Sequence, residues 1–208
     1  MVTTPFGTSG SLRARKKQQT HERICAAASA LFMSQGFANT TVDAIAERAD
    51  ISKPTLFNYF PSKLAVLHAL IDRMDAQFVR YIHDTLDAPA TTKARLQTLM
   101  ARSAKYIHRA PELTRLVLVE GLGAIGDLDK ARARFALLHC AMAELVAAGQ
   151  QQGDVRRDYA TELLVQLLVG GYLYALLNWL SSSGDNLSQN LEDTARLLAE
   201  SLAPHRSD

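Results

Sequence analysis

Nowhere does this chain alternate apolar and polar residues for long enough to line one face of a strand, and it contains neither Asn-Gly nor Asp-Gly, the dipeptides that most favour a tight hairpin. Apolar residues recur instead at intervals of three and four, in stretches rich in Ala, Leu, Arg and Gln. That period leaves one apolar stripe on a helix, so the chain must bury itself as helix against helix. With 208 residues, 48% of them hydrophobic and only 11 Gly and 6 Pro, it can fill an all-α core, which excludes fibrous and intrinsically disordered classes.

Breakers and caps divide the pattern into nine predicted helices: 13–36, 41–49, 53–59, 62–88, 92–109, 112–122, 128–150, 159–181 and 188–203. The polar residues 1–12 read as a mobile tail. Gly36 suits a left-handed stop, Thr40 with Asp43 imitates a capping box, and Ser52 caps a short helix with Pro54 in its first turn. Pro61 ends that helix and Ser62 starts a long one carrying Leu64, Leu67, Ile71, Met74, Phe78 and Ile82 on one stripe. Later boundaries are signalled by Pro111, by Gly121, Gly123 and Gly126, by Gly153, by a cap at Asp158, by Ser181 to Gly184, and by Asn186 with Gln189 as a second capping box.

The net charge of +2 hides an asymmetry. Residues 1–63 hold eight Lys and Arg against four acids, a balance of +4, while the remainder holds fifteen against seventeen, a balance of −2. A basic first third predicts a polyanionic partner for that part alone. Cys25 and Cys140 are far apart on apolar helices and no signal-like segment opens the chain, so a reducing, cytoplasmic setting is expected. Residues 163–180 carry no charge and approach the length of a membrane span, but Gln166, Asn178 and a Gly170-Gly171 pair interrupt them and no basic flank follows. Burial between the chain's own core and a second subunit is the reading adopted, with a membrane anchor as the rival and no membrane partner expected.

Thr41–Ala49 and Lys53–Tyr59, joined by a tight turn, have the dimensions of a helix-turn-helix, whose second helix enters the major groove. Ile45, Ala46, Ala49, Ile51 and Leu56 provide the small and aliphatic contacts two such short helices need. Lys53, Thr55, Asn58 and Tyr59 offer a cation, hydroxyls and an amide to base edges and phosphates, and Lys63 with the run Arg13, Arg15, Lys16 and Lys17 adds flanking charge. Periodicity alone leaves open an ordinary helical hairpin with a solvated polar face.

A wider set of residues narrows the choice: Ile24, Ala27, Ala28, Leu31 and Phe32, Gly36-Phe37, Thr40-Thr41, Ile45-Ala46, Ala49, Ile51-Ser52, Thr55-Leu56-Phe57, Tyr59-Phe60, Ser62-Lys63 and Leu67. In these residues, segment 23–67 resembles the N-terminal domain of the TetR (tetracycline repressor) family of bacterial transcription regulators. The resemblance implies a nine-helix homodimer, with a DNA-binding domain over 13–62 and a ligand-binding and dimerisation domain over 63–208. It further implies that Thr41, Tyr59 and Lys63 hold phosphates while Lys53, Thr55 and Asn58 face bases or backbone. Asp50 departs from the usual Gly of the turn, Phe57 from a common Tyr, and Leu64 from the usual acid.

Gly153-Asp154-Val155-Arg156 ahead of a long apolar helix is similar to a loop and dimerisation helix of that family, and implies a four-helix subunit contact burying Leu164, Leu168, Leu176, Leu180, Leu191 and Leu198. Phe78, Ile82, Tyr106, Leu116, Glu120, His139, Tyr172 and Asn178 combine aromatic lining with a few polar groups, as a site for a large apolar effector would. Core packing accounts equally well for the apolar members, and Glu120 could simply pair with Arg115. No zinc-protease motif, nucleophile elbow, phosphate-binding glycine loop or Cys-x-x-Cys occurs, and the six histidines lack ligand spacing, so neither catalysis, metal nor cofactor is expected.

Overall fold

A computed structural model of the chain describes residues 9–123, 128–181 and 186–204. Most of the expected tail, Gly126 and Ser182 to Gly184 therefore lie outside the described residues, where 9–12 are already helical. The described residues form nine α-helices: α1 (Ser9–Asn39), α2 (Val42–Arg48), α3 (Lys53–Phe57), α4 (Lys63–Leu86), α5 (Thr92–Arg109), α6 (Pro111–Gly123), α7 (Leu128–Gln152), α8 (Thr161–Ser181) and α9 (Leu187–Leu202). No strand occurs among them, and two compact units are divided between Ile71 and Asp72, within α4.

In the first unit α1 packs on α2 and α2 on α3. Ile24, Ala28, Phe32, Ile45, Leu56 and Leu67 are wholly or almost wholly buried there, in the register the apolar spacing requires. Regular helix in α1 ends at Gly36, whose φ of 80° is open to glycine and strained for other residues. The cap of α2 falls one residue later than the capping box placed it. Thr41 accepts from the Ala44 amide at 3.1 Å, whereas Thr40 is buried and donates its hydroxyl to the Gly36 carbonyl at 2.8 Å. Asp50 takes a left-handed φ of 52° in the turn where glycine is usual, a conformation Asp tolerates. Ser52 accepts from the Thr55 amide at 3.3 Å and so caps α3 as expected.

The second unit is built around Leu96, Leu99, Met142, Leu145, Leu168 and Leu191, with α5 against α9 and α8 between α7 and α9. The Gly153-Asp154-Val155-Arg156 turn fastens three elements. Gly153 adopts φ 85° beyond α7, and the Asp154 carboxylate accepts from the Thr92 amide (2.6 Å) and hydroxyl (2.8 Å) at the start of α5, while Val155 is buried. The backbone amide of Arg156 donates to the Leu202 carbonyl at the end of α9. Arg156 also pairs with Asp158 at 2.7 Å, so Asp158 is held there and α8 begins later, at Thr161. Asn186 precedes α9 but makes no side-chain capping bond, so the second capping box does not form.

Candidate functional site

The five residues of α3 are too few to hold a helix alone; the Ser52 cap, Pro54 in the first turn and the fully buried Leu56 fix them. With Leu56 turned inward, Lys53, Pro54, Phe57 and Asn58 are exposed and Thr55 and Tyr59 half-buried. Lys53 and Thr55 of α3 thus stand with Asn58 and Tyr59 of the turn that directly follows it, two residues short of the helix expected through Tyr59, and Thr41 is exposed at the start of α2. The Thr41 hydroxyl, which accepts within its cap, keeps its proton for an external acceptor. Thr55 shares a 2.7 Å hydrogen bond with Ser52. Phe57 is 44% exposed and brings an apolar ring to the same surface.

One cation differs from the sequence expectation. Lys63 directs its ammonium to the end of α1, donating to the carbonyls of Phe37 (2.6 Å), Thr40 (2.8 Å) and Ala38 (3.4 Å), and lies 4.3 Å from the Phe37 ring centre. Its three protons are committed to the fold, which removes it from the phosphate-contacting set in this conformation. Lys53 makes an ion pair with Asp43 across α2 and α3 at 2.9 Å. Arg13, Arg15, Lys16 and Lys17 are exposed along the first turns of α1. Ten residues after Arg13, on the same helix, Arg23 donates to the Ala49 and Asp50 carbonyls and to the Asp50 carboxylate, bracing the turn between α2 and α3. The sequence does not mark Arg23, because an isolated charge carries no periodic signal, and it marks Asp43 only as a capping-box residue, not as a partner of Lys53.

In the second unit the structure brings two of the eight effector candidates into direct contact. The rings of Phe78 (α4) and Tyr172 (α8) stack at 4.7 Å, and the Tyr172 hydroxyl meets Ser103 of α5 at 2.5 Å. Burial pushes the Tyr172 phenol up to about 12, with Ser103 opposing and the Asp75 carboxylate adding to the rise. Asp75, one turn before Phe78, forms a two-pronged pair with Arg134 of α7. Its own carboxyl is raised from 3.8, chiefly by burial, against the lowering pull of Arg134. Burial also raises Tyr106, opposed by Arg73 of α4.

Leu116, Glu120 and His139 are half-buried on α6 and α7. Ile82 is fully buried and belongs to the core, leaving no surface for a ligand, and Asn178 lies exposed on the outside of α8. The alternative pairing of Glu120 with Arg115 does not form: Arg115 donates to the Leu180 carbonyl and stacks on Trp179 at 4.3 Å.

The leucines expected at a subunit contact need a larger correction. Leu164, Leu168, Leu176, Leu191 and Leu198 are at most 5% exposed within a single chain, and Leu180 is half-buried against the same core. Packing against α5, α7 and each other consumes them. What α8 and α9 leave outside is a different set: Leu163, Leu167 and Tyr174, exposed by 51, 44 and 71%, with Gly170 between them, and Leu197 of α9, exposed by 65%. Because α8 is apolar on nearly every side, its sequence could not say which stripe the core takes. It is the one helix among the described residues long and apolar enough to cross a membrane.

A helix-turn-helix on an all-α body defines a class of DNA-binding regulators, and comparison with known proteins fixes the family. Residues 24–70 match the description "Bacterial regulatory proteins, tetR family". The uncharacterized HTH-type transcriptional regulator YdeS of Bacillus subtilis is 32% identical over 174 residues, covering 80% of this chain and 83% of that protein. The HTH-type transcriptional repressor KstR of Mycolicibacterium smegmatis is 26% identical over 95% of this chain and 96% of its own. Among solved structures, FadR of Thermus thermophilus, a TetR-family transcriptional repressor in complex with lauroyl-CoA, superposes with a TM-score of 0.70 and 30% identity, over 90% of this chain and 97% of that one. The chain belongs to the TetR family of DNA-binding transcriptional regulators.

Proposed function

We propose that the chain works in the cytoplasm as a homodimeric repressor that grips a palindromic operator through its two α3 helices and releases it when a large, mainly apolar molecule binds the body. The observation that carries this reading is the display of Lys53 and Thr55 on α3 and of Asn58 and Tyr59 in the turn that follows, by a helix whose opposite side is locked by Leu56, with Thr41 exposed on α2. Arg15, Lys16 and Lys17 on α1 add sequence-independent attraction to phosphates. The uncovered stripe of Leu163, Leu167, Tyr174 and Leu197 supports a second copy as the partner, since twofold pairing buries the same patch on both chains.

Twofold pairing sets two recognition helices about one duplex turn apart, roughly 34–36 Å. An effector that prefers another spacing must weaken operator binding by the coupling energy it gains, about 1–3 kcal/mol. The stacked Phe78 and Tyr172, with Ser103 on the phenol, join α4, which begins at the DNA-binding unit, to α5 and α8 of the body. Thermus FadR, in complex with lauroyl-CoA, supports a fatty acyl thioester as the effector class. The role is binding, with no step that requires bond making.

Selection of bound duplexes from a random pool, followed by titration of the recovered operator complex with lauroyl-CoA, tests both halves. The expected result is a palindrome with half-sites one turn apart and release by the thioester. A monomeric protein that enriches no duplex in dilute salt overturns the DNA reading; an operator complex indifferent to the thioester overturns the effector class alone.

A further inference from the structure

Asp43 occupies the first turn of α2 and Lys53 the first residue of α3, and their side chains meet at 2.9 Å in solvent, 67 and 50% exposed. An exposed pair of this kind adds little to stability, so holding the fold does not account for it. A lone Lys53 would serve any phosphate, and a lone Asp43 two residues from Thr41 would repel phosphates. Paired, they are electrically neutral and keep donors and acceptors to spare: the ammonium has two further protons and the carboxylate a second oxygen.

Both A·T and C·G set a donor beside an acceptor in the major groove. Thymine, however, offers the ammonium a single oxygen next to a methyl group, whereas guanine offers two acceptors that match its two spare protons, so C·G is the better fit. In the major groove a C·G pair offers the cytosine N4 amino group as donor and guanine O6 and N7 as acceptors. The N4 and O6 atoms are themselves hydrogen-bonded, so they stand roughly 2.9 Å apart, the same separation as the Asp43 and Lys53 termini.

We propose that Asp43 and Lys53 act as one reading unit for a C·G pair, the Asp43 carboxylate accepting from cytosine N4 while it steers the Lys53 ammonium onto guanine O6 and N7. Asp43 is then a specificity-determining residue, although it carries the charge that DNA repels. The assignment rests on the helix-turn-helix reading given above.

Removing the carboxylate moves affinity and specificity in opposite directions. In Asp43→Ala, Lys53 is released to the nearest phosphate, so non-specific duplex binds more tightly and the slope of log affinity against log salt steepens by about one per subunit. Discrimination for C·G at one position of each half-site falls by roughly 5- to 150-fold. Asp43→Asn, which keeps the side-chain size, instead shifts the preference at that position toward A·T, since an amide matches adenine N6 and N7.

The experiment is duplex selection from a random pool with the full-length wild type, Asp43→Ala, Asp43→Asn and Lys53→Ala, each checked for helicity and each followed by salt titrations. Loss or switching of the same C·G position in the three variants is the expected result. If wild type enriches an operator and both Asp43 variants enrich the identical one, this proposal falls and the helix-turn-helix reading stands. If wild type enriches nothing, the helix-turn-helix reading itself fails and takes this one with it.

Discussion

The Lys63 ammonium lies 2.6 Å from the Phe37 carbonyl and 4.3 Å from the centre of the Phe37 ring, so the first residue of α4 closes the end of α1. Helix ends leave carbonyls without amide partners, and a cation there also meets the negative end of the helix dipole. Lys63→Ala leaves three carbonyls to solvent, and we expect a loss of about 1–3 kcal/mol in unfolding free energy with an unchanged salt slope of operator binding. Urea unfolding and salt titration check the two halves. A slope flattened by about one would instead place Lys63 on a phosphate.

Cations on the first turns of α1 should behave in the opposite way. Arg13, Arg15, Lys16 and Lys17 are exposed and α1 has no acid in its first turn, so they repel one another and the helix dipole until a polyanion neutralises them. Replacing Lys16 and Lys17 together by Gln is expected to flatten the salt slope by up to about 1.8 per subunit and to leave thermal stability unchanged or slightly raised. Fluorescence titrations of labelled duplex at several salt concentrations read this directly; a constant slope assigns these residues no phosphate contact.

On α8 and α9, neighbouring leucines should give different phenotypes. Leu197→Glu places a charge in the uncovered stripe and should yield a helical monomer with weakened operator affinity, by sedimentation and circular dichroism. Leu168→Ala, at a wholly buried site, should cost about 2–5 kcal/mol of stability through the cavity it leaves. A dimeric Leu197→Glu protein would remove this stripe from the subunit contact.

The Asp75 and Arg134 pair makes stability depend on pH in a defined direction. Burial already raises the Asp75 carboxyl above its ordinary 3.8, and Arg134 restrains the rise. Arg134→Leu leaves the carboxylate uncompensated, so its folded-state pKa climbs further. An acid with a raised folded pKa binds its proton more readily when folded. The variant should therefore be about 1–3 kcal/mol less stable near neutrality, and recover as pH falls through the raised value toward 3.8. Urea midpoints across this range test it, and adding Asp75→Asn should abolish the pH dependence.

Much of the DNA-binding unit was legible in the chain. Ile24, Ala28 and Phe32 are buried as their spacing implies, Ser52 caps α3, and Asp50 adopts the left-handed turn despite replacing glycine. Local chemistry determines these features, because caps, turns and short amphipathic helices depend on residues within one or two turns. Caps chosen from spacing alone were less secure. Thr41 rather than Thr40 takes the α2 cap, and Asp158 goes to Arg156, since neighbouring side chains compete for the same amides and only the packed chain settles the winner.

Sequence alone determined the helical class, the order of the nine helices among the described residues and the residues available to α3, because all of these follow from period and from local hydrogen-bonding chemistry. Tertiary structure decided how multivalent side chains and ambiguous faces are used: Lys63 spent on α1, Asp43 joined to Lys53, Phe78 stacked on Tyr172. It also chose which side of α8 enters the core, taking Leu168 and leaving Leu167 outside. Such choices depend on partners tens of residues away, and a helix apolar all round carries no local preference to reveal them.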